Sequence, residues 1–439
     1  MKRKSPLKAI FDIRRSELPT ALLMFSYFFL IITSFWILKP IKKSIFIQFY
    51  EKTGFDLFAW HLSGPQAELL AKVLNMAVAF VAVGVFTWLA RRFRRQQLTF
   101  IFTGFFLASY AAYAFIIERP QSITVWTFYL YGDLFSTLMV ATFFAFLNDS
   151  VTPDDAKRLY GLICLGGVAG GVFGTTTLRA LIAKIDVVGW LWVCFGLGLL
   201  ILVVAFAAGR RIDRDPPPEP EAVPAETEKK GKGNPALEGA RLVFGSPYLL
   251  SIVAIVGLYE IVSTVMDFQF TSTIAHYLSG PAIGKHLATV FAITNIVSML
   301  VQIFLTSLVM SHFGVGLALM VLPVAALAGS MGFMALPVLG MGSALNTLDN
   351  GFSYSINQSA KEALYVPTSK DEKYKAKAFI DMFVQRFAKA VAVGVSLGIT
   401  MVFREYSSLR WLSGFTVAVI ALWIFAAIYA GRSFKRMTE

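Results

Sequence analysis

Charged side chains inside otherwise apolar segments are the residues of this sequence that could do chemistry. Lys39, Lys42 and Lys43 share one face of an apolar segment, which continues beyond them. Asp133 lies in a second such segment and Glu260 in a third. An ionisable residue at the centre of a bilayer costs about 2.5–3.5 kcal/mol on insertion scales, so a function is expected of each. Three cations on one face predict an anionic ligand, with lysines snorkelling from a helix end as the alternative.

Asp133 shares a helical stripe with Tyr129, Ser136 and Thr137, and no cation lies within four residues of it. It therefore requires a partner on another helix or water. Because polar residues on one stripe favour a wet surface, Tyr129 and Ser136 are predicted to line a cavity beside Asp133.

Glu260 lies about half-way along its segment, and Asp267 follows seven residues later on the same face. Both are candidates for substrate binding. The alternative for each is a structural ion pair with one of three cations further along or earlier in the chain. These cations are Arg179, Arg386 and Lys389.

A polar stripe runs along the segment 337–366, with members three or four residues apart. Such spacing predicts one face of a helix, and its polarity predicts a cavity-lining face. Lys361 of this stripe is a candidate anion-binding residue, and Asn350, Tyr354 and Asn357 are candidate cavity-lining residues. The members are Asn346, Asn350, Ser353, Tyr354, Asn357, Lys361 and Tyr365.

The composition of the chain excludes several classes of protein. Of 439 residues, 56% are hydrophobic and 15% are charged, whereas soluble domains carry about 25% charged residues. The two cysteines, Cys164 and Cys194, lie in apolar runs and predict no disulfide. No spacing of His, Cys or acidic residues predicts a metal or a cofactor, and no nucleophile–base motif predicts an enzyme.

The apolar segments have the length of membrane-spanning helices and predict an all-α polytopic membrane protein. Segment 337–366 is polar for a membrane helix. Twelve spans are predicted, at 19–49, 67–90, 98–117, 122–148, 157–183, 187–208, 247–274, 286–311, 314–335, 337–366, 374–403 and 408–431.

A long polar linker, 209–246, divides the chain into an N-terminal six-helix bundle, 1–208, and a C-terminal six-helix bundle, 247–439. Its prolines at 216–224 favour an extended strand, and residues 234–244 favour a short helix. Two six-helix bundles around a central site are the major-facilitator arrangement. Lysines and arginines concentrate in alternate loops, which predicts that both termini are cytoplasmic. This topology explains the net charge of +13 without a nucleic-acid partner.

Segment 157–183 contains a series of glycines at intervals of four residues, including Gly166, Gly170 and Gly174. Small residues at this spacing let two membrane helices approach closely. The segment lacks the Lys-Ser/Thr ending of a phosphate-binding loop, so helix packing is predicted.

Several stretches resemble the ATP/ADP translocase (nucleotide transporter) family of bacteria and plastids. Residues 127–163 are similar to that family's fourth helix and the acidic loop after it. Lys361-Glu-Ala-Leu-Tyr-Val-Pro367 is similar to a KEMAYIP segment, and Lys375-Ala-Lys-Ala-Phe-Ile-Asp381 to the K-x-K motif that follows it. A shorter stretch, 37–46, resembles the first helix of the family.

The resemblance implies a major-facilitator-like carrier that exchanges nucleotides. It implies that two lysines and two acids are critical, and these fall on Lys42, Asp133, Glu260 and Lys361. The chain departs from the family in having Asp133 in place of Glu, Lys43 in place of an acid, and Ser353 in place of Lys. A divergent member, with another nucleotide or another phosphorylated anion as substrate, fits these departures.

Two other functions remain open on sequence grounds. One is a proton-coupled organic-anion carrier of the same fold, and the other is a non-transporting membrane sensor or scaffold. Short loops and no transit peptide favour the inner membrane of a bacterium. The sequence does not indicate the oligomeric state or the direction of transport.

Overall fold

Ten helices are long and apolar enough to cross a membrane in the part of the chain that the structure describes. This computed structural model describes residue 14 and residues 17–151, 153–214, 235–369, 375–403 and 405–438. The ten helices coincide with ten of the predicted spans. The prolines at 216–224 lie outside the described residues.

The described residues of the first half form six helices and a small β-hairpin. These elements are α1 (Leu18–Phe49), β1 (Phe55–Leu57), β2 (Trp60–Leu62), α2 (Gly64–Ala90), α3 (Arg95–Ile116), α4 (Ser122–Ser150), α5 (Pro153–Leu181) and α6 (Val187–Arg214). The strands pair antiparallel, with Leu57 opposite Trp60. The all-α prediction missed this hairpin because strands of three residues are too short to show a pattern.

The second half begins with the short helix predicted from residues 234–244. Its elements are α7 (Pro235–Gly245), α8 (Pro247–Tyr277), α9 (Pro281–Leu300), a π-helix (Val301–Thr306), α10 (Ser307–His312), α11 (Gly314–Ala335), α12 (Leu339–Phe352), a π-helix (Ser353–Asn357), α13 (Gln358–Ala363), α14 (Lys377–Phe379), a π-helix (Ile380–Val384), α15 (Gln385–Val402), a 3₁₀-helix (Tyr406–Ser408) and α16 (Leu409–Thr438).

The predicted spans 337–366 and 374–403 are the two that are not among the ten membrane-length helices of the described residues. Each is divided by a π-helical segment, Ser353–Asn357 in the first and Ile380–Val384 in the second. A π-helix also lies within the span 286–311, at Val301–Thr306. A π-helical turn adds a residue to the helix and is frequent at functional sites. The spans 337–366 and 374–403 are also where most of the polar candidate residues of the second half lie.

The described residues form two compact units. Unit 1 contains residues 17–49, 74–214 and 287–292, and unit 2 contains residues 50–73, 235–286 and 293–438. In unit 1, α1 packs against α4, α5 and α6. In unit 2, α8 packs against α12, α15 and α16. Helices α1 and α8 are thus central in their respective units.

Glycines of α5 bring it against the backbone of α1, as the sequence predicts. A Cβ atom added at Gly166 or Gly170 would lie 2.5 Å from the carbonyl oxygen of Phe25 or Phe29. In addition, the Thr33 hydroxyl donates a hydrogen bond to the Gly170 carbonyl at 3.3 Å. This close packing fixes the position of α1, which carries the three lysines.

Candidate functional site

Lys42 and Asp133 form an ion pair inside unit 1. Lys42 lies on α1 and Asp133 on α4, and their side chains are 5% and 27% exposed. Because α1 continues to Phe49, Lys42 is not at a helix end, and snorkelling does not explain it. The partner that Asp133 requires on another helix is therefore Lys42.

The ammonium group of Lys42 has further polar and aromatic neighbours on α4. Lys42 Nζ donates a hydrogen bond to the Tyr129 carbonyl oxygen at 3.3 Å and lies 4.2 Å from the centre of the Tyr129 ring. Gly132 provides the space for the lysine stem, since a Cβ atom there would lie 2.6 Å from Lys42 Cδ. The site thus holds a lysine in an almost buried position beside an acid, an aromatic face and a backbone carbonyl.

Asp133 has a second donor that the sequence did not reveal. The side-chain amide of Asn75, on α2, donates a hydrogen bond to Asp133 Oδ2 at 2.9 Å, while Lys42 pairs with Oδ1. The hydroxyls of Ser136 and Thr137 each donate to the Asp133 backbone carbonyl at 3.0 Å. Ser136 therefore supports α4 locally.

Helix α1 carries two further lysines, Lys39 and Lys43. Lys43 is buried. Lys39 Nζ lies 4.5 Å from the ring centre of Trp36 and 5.2 Å from that of Phe291, which belongs to the segment 287–292 of unit 1. Aromatic faces stabilise a cation by about 0.5–2 kcal/mol, so Lys39 is held as a cation among rings.

Glu260 and Lys389 form the corresponding ion pair in unit 2. Glu260, on α8, and Lys389, on α15, are joined at 2.8 Å, with side chains 16% and 35% exposed. The sequence left a structural pair with Lys389 open as an alternative, and this is the pair that the structure contains. This ion pair also joins α8 to α15.

Asp267 belongs to a second charged group in unit 2. It pairs with Lys72 of α2, and Lys72 also pairs with Glu68 at 3.2 Å. The amide of Asn346 donates to Asp267 at 3.4 Å. Lys72 was not among the three cations that the sequence proposed for Asp267.

The members of the polar stripe of segment 337–366 differ in burial. Asn346 and Asn357 are buried, whereas Tyr354 is 55% exposed. The π-helix Ser353–Asn357 lies within the stripe and interrupts the regular helix there. That the stripe lines one cavity stays a prediction.

Tyr354 interacts with several charged side chains of unit 2. It is within electrostatic range of Asp349, Lys389, Asp267 and Glu260. Near it, the Ser263 hydroxyl donates a hydrogen bond to Asp349 at 2.6 Å. Asn350, in contrast, donates its amide to the Asn346 carbonyl of its own helix at 3.0 Å.

Lys361 lies in the last turn of the short helix α13. Lys361 is close enough to Asp381 to interact with it electrostatically, and the adjacent Glu362 pairs with Lys377 at 2.6 Å. The recorded ion pair of Glu260 is with Lys389 and not with Lys361. Lys42 and Lys361 thus have different neighbours and lie at different positions in their helices. The family motif nevertheless implies a related role for them.

Three functional candidates escaped the sequence analysis, namely Glu68, Lys72 and Asn75 on α2. A signal was present, because Glu68 and Lys72 are an acid and a base four residues apart in an apolar segment. Asn75 gave no signal, since one amide in a membrane helix is uncharged and common. No group of three or more His, Cys or acidic residues is arranged to hold a metal ion within the described ranges.

A comparison with protein families decides the membership of the chain. The model of the major facilitator superfamily matches residues 21–360. The chain belongs to the major facilitator superfamily. A second model, described as TLC ATP/ADP transporter, matches residues 335–434. The resemblance to the ATP/ADP translocases is thereby confirmed, and this major facilitator protein is a divergent relative of them.

Curated relatives match nearly the whole chain. One is ADP,ATP carrier protein 2 of Chlamydia trachomatis, 23% identical over 98% of this chain and 91% of the relative. Another is the plastidic ATP/ADP-transporter of Solanum tuberosum, 21% identical over 88% of this chain and 70% of the relative.

Solved structures show the same fold. A bacterial homologue of the human lysosomal transporter Spinster, inward-facing and unoccupied, has a TM-score of 0.60 at 15% identity and covers 97% of this chain and 99% of its own. The nucleoside transporter NupG has a TM-score of 0.59 at 13% identity, with 96% and 100% covered. The chain is therefore a helical multi-pass membrane protein of a transporter family.

Proposed function

We propose that this protein exchanges nucleotides of the ATP/ADP type, or a related phosphorylated anion, across a membrane by alternating access. The observation that carries the proposal is the nearly buried ion pair of Lys42 and Asp133 between two membrane helices. The names of relatives that match almost the full length of the chain supply the substrate class.

The ion pairs provide a mechanism for exchange. A phosphate group is an anion that can replace Asp133 beside Lys42, because the lysine ammonium binds phosphate as a point charge. In the empty carrier the acid occupies the lysine. Breaking such a pair without a substitute leaves a charge unpaired in a medium of low dielectric constant, which is unfavourable by several kcal/mol. A phosphate bound to Lys42 avoids this loss for the lysine, because one anion replaces another beside it.

The binding residues in this proposal are Lys42, Asp133 and Glu260, together with one lysine of unit 2. The family motif selects Lys361 for that role. The geometry favours Lys389, since it pairs with Glu260 as Lys42 pairs with Asp133. The proposed lining is Lys39, Tyr129, Ser136, Asn350, Tyr354 and Asn357.

The proposal includes twelve spans in two six-helix bundles, with both termini cytoplasmic in a bacterial inner membrane. Ten helices meet the length and hydropathy expected of a span. The segments α12–α13 and α14–α15, each divided by a π-helix, supply the remaining two. No enzymatic step belongs to this function, because the ligand is moved and not transformed.

Ligand-induced thermal stabilisation of the detergent-purified protein tests the proposal. ATP or ADP at 100 times its dissociation constant stabilises the folded state by about 2.7 kcal/mol. We expect such a shift with nucleotides, and none with sugar phosphates or carboxylates. Lys42→Ala removes the shift, whereas Lys184→Ala, at an exposed lysine between α5 and α6, retains it. A shift with another anion only would keep the fold and reject the nucleotide.

Transport in liposomes then separates the proposed exchange from the alternatives. Exchange requires nucleotide on both sides of the membrane. A proton-coupled anion carrier of this fold would use Asp133 or Glu260 as the proton acceptor, and it would accumulate substrate from a pH gradient alone. A sensor or scaffold would show neither activity in a correctly folded sample.

A further inference from the structure

The carboxylate of Asp133 is held by two different side chains. Lys42 of α1 pairs with one oxygen, and the Asn75 amide of α2 donates to the other at 2.9 Å. Three helices of unit 1 thus meet at one carboxylate. Only one of the two donors is charged.

We infer that Asn75 is a positioning residue, which holds the Asp133 carboxylate in place when an anionic substrate takes over Lys42. This inference rests on the proposed function, because it concerns the step in which substrate and Asp133 compete for one lysine. Asn75 touches the acid and not the substrate in this arrangement.

The competition explains why a second donor matters. When a phosphate group binds Lys42, Asp133 loses its cation. Its side chain is only 27% exposed, so water replaces the lost partner in part. The Asn75 amide still donates a hydrogen bond to it, so the displaced carboxylate is not left without a donor. A hydrogen bond to a charged group shifts an equilibrium by about tenfold to a hundredfold.

A neutral donor suits this role better than a charged one. A second cation at position 75 would attract the phosphate itself and would hold the acid too strongly. An acid at position 75 would repel Asp133. The amide stabilises the carboxylate most in the loaded state, where Lys42 no longer pairs with it, and it adds no charge to either state.

Asn75→Leu tests the inference, since leucine is of similar size and cannot donate. We expect the dissociation constant for ATP or ADP, measured by calorimetry on the purified protein, to rise about tenfold or more. The turnover number of exchange should change less than KM, because the loss acts on binding. Asn75→Gln, which keeps the amide, should restore part of the affinity. Asn148→Leu is the matched control, because Asn148 lies at the C-terminal end of α4, about four turns from Asp133. This variant should bind as the wild type does.

A double-mutant cycle separates positioning from a general effect on the fold. If Asn75 acts through Asp133, Asn75→Leu loses its effect on affinity in an Asp133→Asn background. An equal effect in both backgrounds overturns the inference, and so does unchanged affinity in Asn75→Leu. If Asp133→Asn binds too weakly to measure, the recovery in Asn75→Gln decides, and a failure to recover counts against the inference.

The wild type distinguishes a failure of this inference from a failure of the proposed function. If it binds another anion of the panel and no nucleotide, the nucleotide proposal fails, and the same variants are compared with that anion. If it binds nucleotide and Asn75→Leu does too with equal affinity, only the inference fails. If no anion binds, both fail.

Discussion

The ion pairs of the two units use the same chemistry with the roles of the helices exchanged. In unit 1 the lysine lies on α1 and the acid on α4, whereas in unit 2 the acid lies on α8 and the lysine on α15. The two lysines also differ in exposure, because Lys42 is 5% and Lys389 is 35% exposed. The lysine is thus the more buried member of the pair in unit 1, whereas in unit 2 the acid is, since Glu260 is 16% exposed and Asp133 27%.

This difference determines how strongly each pair should matter for stability. A buried charge that loses its partner destabilises a protein by about 3–5 kcal/mol. Screening by water and salt lowers the contribution of a pair as its members become more exposed, towards about 0–1 kcal/mol for a fully exposed pair. The unit 1 pair is thus expected to serve both the fold and the ligand, and the unit 2 pair chiefly the ligand.

Removing each lysine in turn gives the largest expected contrast. Lys42→Met should lower the free energy of unfolding by about 3 kcal/mol or more, because Asp133 is left without its cation. Lys389→Met should lower it by less than about 1 kcal/mol. Denaturation of the purified protein without ligand measures both. Equal losses would show that exposure does not distinguish the two pairs. The double variant Lys42→Met with Asp133→Asn should recover part of the loss.

The position of Lys42 depends on the packing of α5 against α1, so the next effect concerns a glycine. Gly170→Ala places a Cβ atom 2.5 Å from the Phe29 carbonyl oxygen, and such overpacking destabilises by about 1–3 kcal/mol. Gly161→Ala is the matched control on the same helix, since nothing lies within 4 Å of its Cβ position. It should be neutral or stabilising by up to about 1 kcal/mol, as alanine favours a helix. A stable Gly170→Ala protein would argue against this close contact.

The smallest predicted effect distinguishes which lysine of unit 2, Lys389 or Lys361, binds the nucleotide. Lys389→Ala should weaken nucleotide binding about tenfold, a loss of about 1.4 kcal/mol. Lys361→Ala should weaken it by less than about threefold, because Lys361 lies beside Asp381 and Lys389 beside Glu260. Calorimetric titration of both variants measures this. The opposite order would support the assignment from the family motif.

Prediction from the sequence succeeded where one helix carries the whole pattern. The bounds of α1 and the glycine face of α5 can each be identified along one segment, and so can the placement of Lys42, Asp133 and Glu260 inside apolar segments. The π-helix Ser353–Asn357 could not be predicted, because nothing in the spacing of segment 337–366 indicates it. It interrupts the regular helical spacing on which the stripe was drawn.

The sequence by itself determined that this is a membrane protein with costly charges in its helices, because hydropathy and charge are properties of single segments. The tertiary structure decided the partners. The pair of Lys42 and Asp133 joins residues far apart in the chain. Glu260 pairs with Lys389, one of the three cations that the sequence allowed. The contribution of Asn75 is apparent only from its hydrogen bond to Asp133. Pairing follows from distance and orientation between packed helices, and the order of residues along the chain does not contain these quantities.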